Sequence, residues 1–172
     1  MPAEGGKPER RIALTEGETL LGFDWSPDGK SLADVRVSGG YSSGTLEVRN
    51  LQDGEVRTLF SDPSLMGNGV LSWLSDGRVL FTLIKGNGNG NENDLWTISP
   101  DSSGTAGKPI RITNTTGLLV GNTSVSRDGK RMAVMLMRFP LSIFVANLDA
   151  KTHELEQPRR LTNDSWRNIP VA

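Results

Sequence analysis

An Asp-Gly turn recurs three times in matching surroundings, and this recurrence limits the fold more than any single residue does. Residues 25–30 read WSPDGK, residues 73–78 read WLSDGR and residues 125–130 read VSRDGK. Aligned on Asp28, Asp76 and Asp128, the copies are spaced by 48 and 52 residues. A short apolar run leads into each copy: LLGFDW (20–25), GVLSW (69–73) and NTSVS (122–126). An alternating run follows each: SLADVRV (31–37), VLFTLI (79–84) and RMAVMLM (131–137). After a polar gap come TLEVRNL (45–51), DLWTIS (94–99) and SIFVANL (142–148), and each unit closes on a last run, VRTLF (56–60), IRIT (110–113) or RRLT (159–162). Runs this short, alternating and bounded by turn residues predict strands. The chain's 20 glycines and 9 prolines among 172 residues suit many tight turns better than long helices.

The motif has a local physical reading. The Asp side chain caps the turn, and Gly takes a positive φ that other residues resist. Pro27 presets φ at a turn position. Trp25 and Trp73 are expected to pack between neighbouring sheets, a task that Val125 performs less fully. Trp25, Ser26, Pro27, Asp28, Gly29, Trp73, Asp76, Gly77, Asp128 and Gly129 are therefore assigned to structure.

Four antiparallel strands per unit at this period predict an all-β fold, a β-propeller of about three four-stranded blades. The blades are expected over 20–60, 69–113 and 121–162, after a flexible segment at 1–10. Residues 11–18 (within RRIALTEGE, 10–18) match the closing strand of a preceding unit, with Leu14-Thr15 answering Ile112-Thr113 and Leu161-Thr162. Residues 166–172 are expected to begin the first strand of a further blade. The chain is thus expected to be part of a larger propeller. Strand edges left open at its flanks would favour homo-oligomerisation.

From about Arg11 to Ala172, the pattern WSPDGK, then an apolar strand, then Leu-Thr, resembles the TolB-type, WD-repeat-like propeller repeat. The second copy keeps Trp73, Ser75, Asp76 and Gly77 with Leu74 before Ser75; the third keeps Ser126, Asp128 and Gly129. The resemblance implies a bacterial interaction module without chemistry of its own. Such propellers occur in periplasmic interaction proteins and as sensor-like regions of membrane-bound transcriptional regulators and Ser/Thr protein kinases. It also implies an alternative, since similar propellers precede the catalytic domain of prolyl-oligopeptidase-type serine peptidases and gate their substrates. The resemblance makes a periplasmic location reasonable for the parent protein, but this chain assigns no compartment.

Composition narrows the function classes. The net charge of −1, with no long Lys/Arg run, argues against a nucleic-acid partner. No apolar stretch approaches the ~20 residues of a membrane helix, so no membrane insertion is expected. Cysteine is absent, which removes disulfides and thiolate metal sites. The single histidine, His153, lies in the polar stretch DAKTHELEQ and cannot build a multi-histidine metal site.

Gly40-Tyr41-Ser42-Ser43-Gly44 fits the G-x-S-x-G form of a hydrolase nucleophile elbow. An elbow needs a strand feeding a helix. Here another alternating strand follows, so Ser42 is assigned to a turn. KGNGNGNENDLW (85–96) places Asn87, Asn89, Asn91, Asn93 and Asp94 near one another. Only Glu92 and Asp94 are carboxylates, and a polar hairpin loop is the favoured reading over a calcium loop. The Asn-x-Ser/Thr triplets at Asn114, Asn122 and Asn163 are read as turn chemistry, and Met135 and Met137 as core packing. No cofactor or metal is expected.

An up-and-down blade puts the short Asp-Gly turns at one end. The longer loops, 38–44, 61–68, 85–93, 114–121 and 163–167, lie at the other. Irregular loops on a rigid scaffold carry most binding sites. Asn68, Asn122, Trp166 and Arg167 are the candidate binding residues for a protein or small-ligand partner.

Overall fold

A computed structural model describes residues 11–40, 43–65, 70–85, 92–100, 107–138 and 142–162. Twelve strands occur among them. The first unit holds β1 (Thr19–Trp25), β2 (Ser31–Ser38), β3 (Ser43–Asn50) and β4 (Val56–Asp62). The second holds β5 (Leu71–Trp73), β6 (Val79–Ile84), β7 (Asn93–Ile98) and β8 (Ile110–Arg111). Each set pairs in chain order as one antiparallel four-stranded sheet, the arrangement of a propeller blade. A single 3-10 turn, Pro63–Leu65, links the two blades. Among the described residues no helix is long and apolar enough to cross a membrane.

The turns explain the pairing. Gly29, Gly77 and Gly129 take φ of +69°, +89° and +68°. Asp28 Oδ1 accepts from the Lys30 amide at 3.1 Å, and Asp76 and Asp128 do the same one turn at a time, for Arg78 and Lys130. In the first and third copies a serine completes the loop. Ser26 Oγ donates to Asp28 at 2.7 Å and accepts from the Ser31 amide at 2.8 Å, while Ser126 repeats both bonds with Asp128 and Arg131. Leu74 occupies that place in the second copy, and the turn there is one residue shorter. It closes from Leu74 N to Arg78 O, where the first closes from Ser26 N to Ser31 O.

Each blade has two faces. The second face of blade one (Ala33, Val35, Leu46, Val48) packs on the first face of blade two (Val79, Phe81, Ile98). Phe60 and Phe81 meet with ring centroids 5.8 Å apart. Asp24 ties the two innermost strands together, accepting from the Trp73 amide at 2.7 Å. The second face of blade two (Leu80, Leu95) then packs on Val120 and Val134 of the third unit.

Two expected elements pair differently among the described residues. The four strands predicted over 121–162 do not form one sheet among the described residues. β9 (Leu119–Val125) pairs with β10 (Met132–Met137), and β11 (Phe144–Leu148) pairs with β12 (Leu155–Arg160), as two separate hairpins. No residue of β10–β12 is buried. The packing that holds β2 to β3 in blade one, where Ala33, Val35 and Leu46 are buried against blade two, has no counterpart there among the described residues. Residues 11–18 form a turn, not a strand, with Glu18 N donating to Thr15 O at 3.0 Å. A closing strand needs a neighbour to complete its ladder, and residues 11–18 pair with none among the described residues. The expected flexible segment 1–10 and the strand at 166–172 lie outside the described residues.

Candidate functional site

Of the candidate binding residues, Asn122 is described: it is exposed on β9. Asn68, Trp166 and Arg167 lie outside the described residues, as do Ser42 and Asn87, Asn89 and Asn91.

The glycines of the elbow-like stretch have structural reasons. Gly40 takes φ of +65° in the β2–β3 connection. Gly44 is buried on β3, where a Cβ would stand 2.4 Å from Leu65 Cβ of the linker turn. His153 occupies a turn equivalent to that of Gly54. Asn50 N bonds Glu55 O and Gly54 N bonds Asn50 O; Asp149 N bonds Glu154 O and His153 N bonds Asp149 O. Gly54 has φ of +83° and His153 has φ of +59°. The histidine thus sits where the backbone prefers glycine.

Asn93 and Asp94, from the asparagine-rich stretch, act as a latch. Asn93 is 3% exposed; its Nδ2 donates to Val120 O at 3.0 Å and its Oδ1 accepts from Val120 N at 2.6 Å. It thereby joins β7 to the third unit. Asp94 is 1% exposed. Its Oδ1 accepts from the Thr115 amide at 2.9 Å and from Thr113 Oγ1 at 3.1 Å, and its Oδ2 faces Lys85 Nζ at 3.1 Å and the Arg111 guanidinium. Burial pushes its carboxyl upward, but the bonds from Thr115, Lys85, Arg111 and Thr113 outweigh this and hold it below the usual carboxylate range. Both oxygens are thus engaged by protein donors. Among the described residues no three metal-ligating side chains converge.

An apolar concavity lies on the first face of blade one. It is an apolar groove of about 420 Å³, floored by Leu20, Phe23, Trp25 and Leu32 and walled by Ile12 and Leu14 of the N-terminal turn. Phe23 and Trp25 are 59% and 56% exposed. Under this apolar layer runs a buried charge cluster. Arg36 Nε donates to Asp34 Oδ1 at 2.6 Å, and Arg36 also lies 3.6 Å from Glu18 and from Glu47. The hydrogen bond from Arg36 to Asp34 raises the guanidinium's already high pKa. Asp34 is 1% exposed, and its Oδ2 has no hydrogen-bond partner among the described residues. These residues were missed in the sequence, although a signal was present. Asp34 and Arg36 stand two apart inside an apolar strand, so both charges fall on one face. A more polar hollow of about 480 Å³ opens between the Asp-Gly turns of blades one and two, beside Asp28, Asp76 and Arg57.

No protein-family model and no curated protein matches this chain. Solved structures do. A prolyl endopeptidase, from a study of two such enzymes and their inter-domain dynamics, aligns over 96% of this chain and 25% of its own, at 18% identity and a TM-score of 0.57. TolB from Acinetobacter baumannii aligns over 87% of this chain and 34% of its own, at 23% identity and a TM-score of 0.51. Prolyl oligopeptidase B from Galerina marginata aligns over 84% of this chain and 22% of its own, at 14% identity and a TM-score of 0.50. The chain therefore spans between 22% and 34% of the length of these structures. At this identity the likeness is one of fold, and the fold is that of part of a β-propeller, similar to TolB and to the prolyl oligopeptidases.

Proposed function

We propose that this chain is a non-catalytic binding module, the sensor or interaction region of a larger bacterial protein of the transcriptional-regulator or Ser/Thr-kinase type. The observation that supports this most is the blade-one groove. A rigid four-stranded sheet presents aromatic side chains to solvent above a buried Asp34–Arg36 pair. Exposed apolar surface rimmed by charge is the usual mark of a protein interface. The test compares the wild type with Phe23→Glu as baits for cellular proteins. A partner retained by the wild type and lost from the variant is expected. Identical sets of retained proteins would refute the reading.

A second reading has its own support: the similar structures include a prolyl endopeptidase, aligning over 96% of this chain, and a prolyl oligopeptidase. On that reading the blades gate access to a hydrolase domain encoded alongside. The parent gene separates the two. A G-x-S-x-G serine on a strand–helix turn favours the peptidase; a kinase or DNA-binding domain favours the sensor.

A further inference from the structure

The Asp-Gly turns of neighbouring units meet in two different ways. Those of the second and third units touch: a Cβ at Gly129 would stand 2.6 Å from Ser75 Oγ. Those of blades one and two stand apart and leave a hollow of about 480 Å³, within the ~300–1,000 Å³ of pockets that hold small ligands. Both of its walls are four-stranded blades, and Val48, 4% exposed on the second face of blade one, lines it from β3. Its apolar surface comes from Trp73, Pro27 and Pro100. The Trp73 indole N–H already donates to Gly77 O at 3.1 Å, so the ring offers carbon surface and no donor. The prolines have no N–H to offer. Polar groups stand around this surface. The turn bonds of Asp28, from Ser26 Oγ and the Lys30 amide, fall on Oδ1, which leaves Oδ2 as an acceptor. Those bonds hold the carboxyl below its usual range, so it is ionised at neutral pH. Arg57 brings guanidinium donors from β4.

The charges of the hollow are locally matched. Asp76 is held by the Arg78 guanidinium at 2.6 and 2.9 Å, Arg57 lies 4.0 Å from Glu55, and Lys30 is close enough to Asp28 to favour its charge. A cationic ligand would meet Lys30, Arg57 and Arg78, and an anionic one Asp28 and Asp76, so the site selects neither sign. It combines an apolar wall with a carboxylate acceptor and guanidinium donors. A pyranose presents the matching surfaces: a face of C–H bonds and a rim of hydroxyls that both donate and accept. We propose that this hollow binds a neutral saccharide, with the C–H face of a sugar ring against Trp73, and with hydroxyls donating to Asp28 Oδ2 and accepting from Arg57. The site goes beyond the protein-interface reading above and makes no use of the Phe23 groove.

NMR of the whole chain, titrated separately with maltose, lactose, cellobiose and N,N'-diacetylchitobiose, tests this. Saturable shifts of the Trp73 indole N–H and of the Asp28 and Lys30 amides are expected with at least one of the four. Asp28 and Asp128 each cap a turn through a serine hydroxyl and a lysine amide, but Asp28 alone of the two lines the hollow. Asp28→Asn should therefore weaken sugar binding about tenfold, the loss of one charge-assisted hydrogen bond. Asp128→Asn should leave it unchanged. Trp73→Ala should abolish saturation; far-UV circular dichroism checks its strands, and Arg57→Ala replaces it if they are lost. No saturable shift with any of the four sugars overturns the proposal. So do shifts that saturate away from the hollow, an Asp28→Asn chain that binds as tightly as the wild type, and equal weakening by Asp28→Asn and Asp128→Asn. A lysine or glutamate tripeptide that saturates the same signals when no sugar does assigns the hollow to peptide chemistry, and this too overturns the proposal.

Discussion

Asp94→Asn is the most informative single change away from the groove. Asp94 Oδ2 faces Lys85 and Arg111, while Oδ1 takes the Thr115 amide and the Thr113 hydroxyl. Asparagine keeps the size and one acceptor, so the bonds on the Oδ1 side survive without charge assistance. On the other side, an amide NH2 would confront an ammonium and a guanidinium. The side chains of Lys85 and Arg111 are 25% and 38% exposed, so water rehydrates them and each ion pair counts for no more than about 1 kcal/mol. Weakening the buried bonds from charge-assisted to neutral costs about 1 kcal/mol more. The sum is a loss of about 1–3 kcal/mol, read as a shift of the urea midpoint at unchanged slope. Asp94→Ala also strands the Thr115 amide and should cost about 3 kcal/mol. Hydrogen exchange at Thr115 should accelerate in both variants. A loss below about 0.5 kcal/mol for Asp94→Asn, within the range of ordinary surface substitutions, would refute the latch.

Gly44→Ala should destabilise the linker by about 1–3 kcal/mol, because the new Cβ meets Leu65 Cβ at 2.4 Å and the Asp62 carbonyl at 3.2 Å; thermal unfolding checks this, and an unchanged midpoint would count against the packing. His153→Gly should stabilise the chain by about 1 kcal/mol, since a left-handed backbone costs a non-glycine residue about that much; a lower midpoint would mean that the histidine side chain holds the turn. Stability should fall in acid. The folded carboxyl of Asp94 lies below its unfolded value of about 3.9, so its contribution is complete above that value and is lost as pH drops through the folded pKa. The Asp94→Asn chain should therefore lose less stability than the wild type between about pH 5 and pH 2, and parallel losses would refute this assignment.

Much of the blade architecture was legible because its signals are local. Alternation marks strands, and Asp-Gly needs only its own residues to make a turn, so the first two units form four-stranded antiparallel sheets. The third unit is less complete among the described residues. Its runs alternate like the others, but RMAVMLM and SIFVANL remain exposed, and alternation alone does not supply the burial that joins hairpins into one sheet. The site was less legible still. The asparagine-rich stretch was read as a loop, yet Asn93 and Asp94 at its end hold the blade-two linker through partners some twenty or more residues away.

The sequence by itself determined which residues extend, where the chain reverses and how often the unit recurs. Tertiary structure decided which face each side chain shows. Alignment on the motif aspartates sets Ala33 against Phe81. The shorter second turn shifts the pairing by one residue, so Phe23 lies opposite Asp34 while Leu71 lies opposite Phe81. A slip of one residue turns every side chain of a strand to the other face. Asp34 thus stands at the position where blade two carries Phe81, and an apolar interface becomes a groove with a buried charge beneath it.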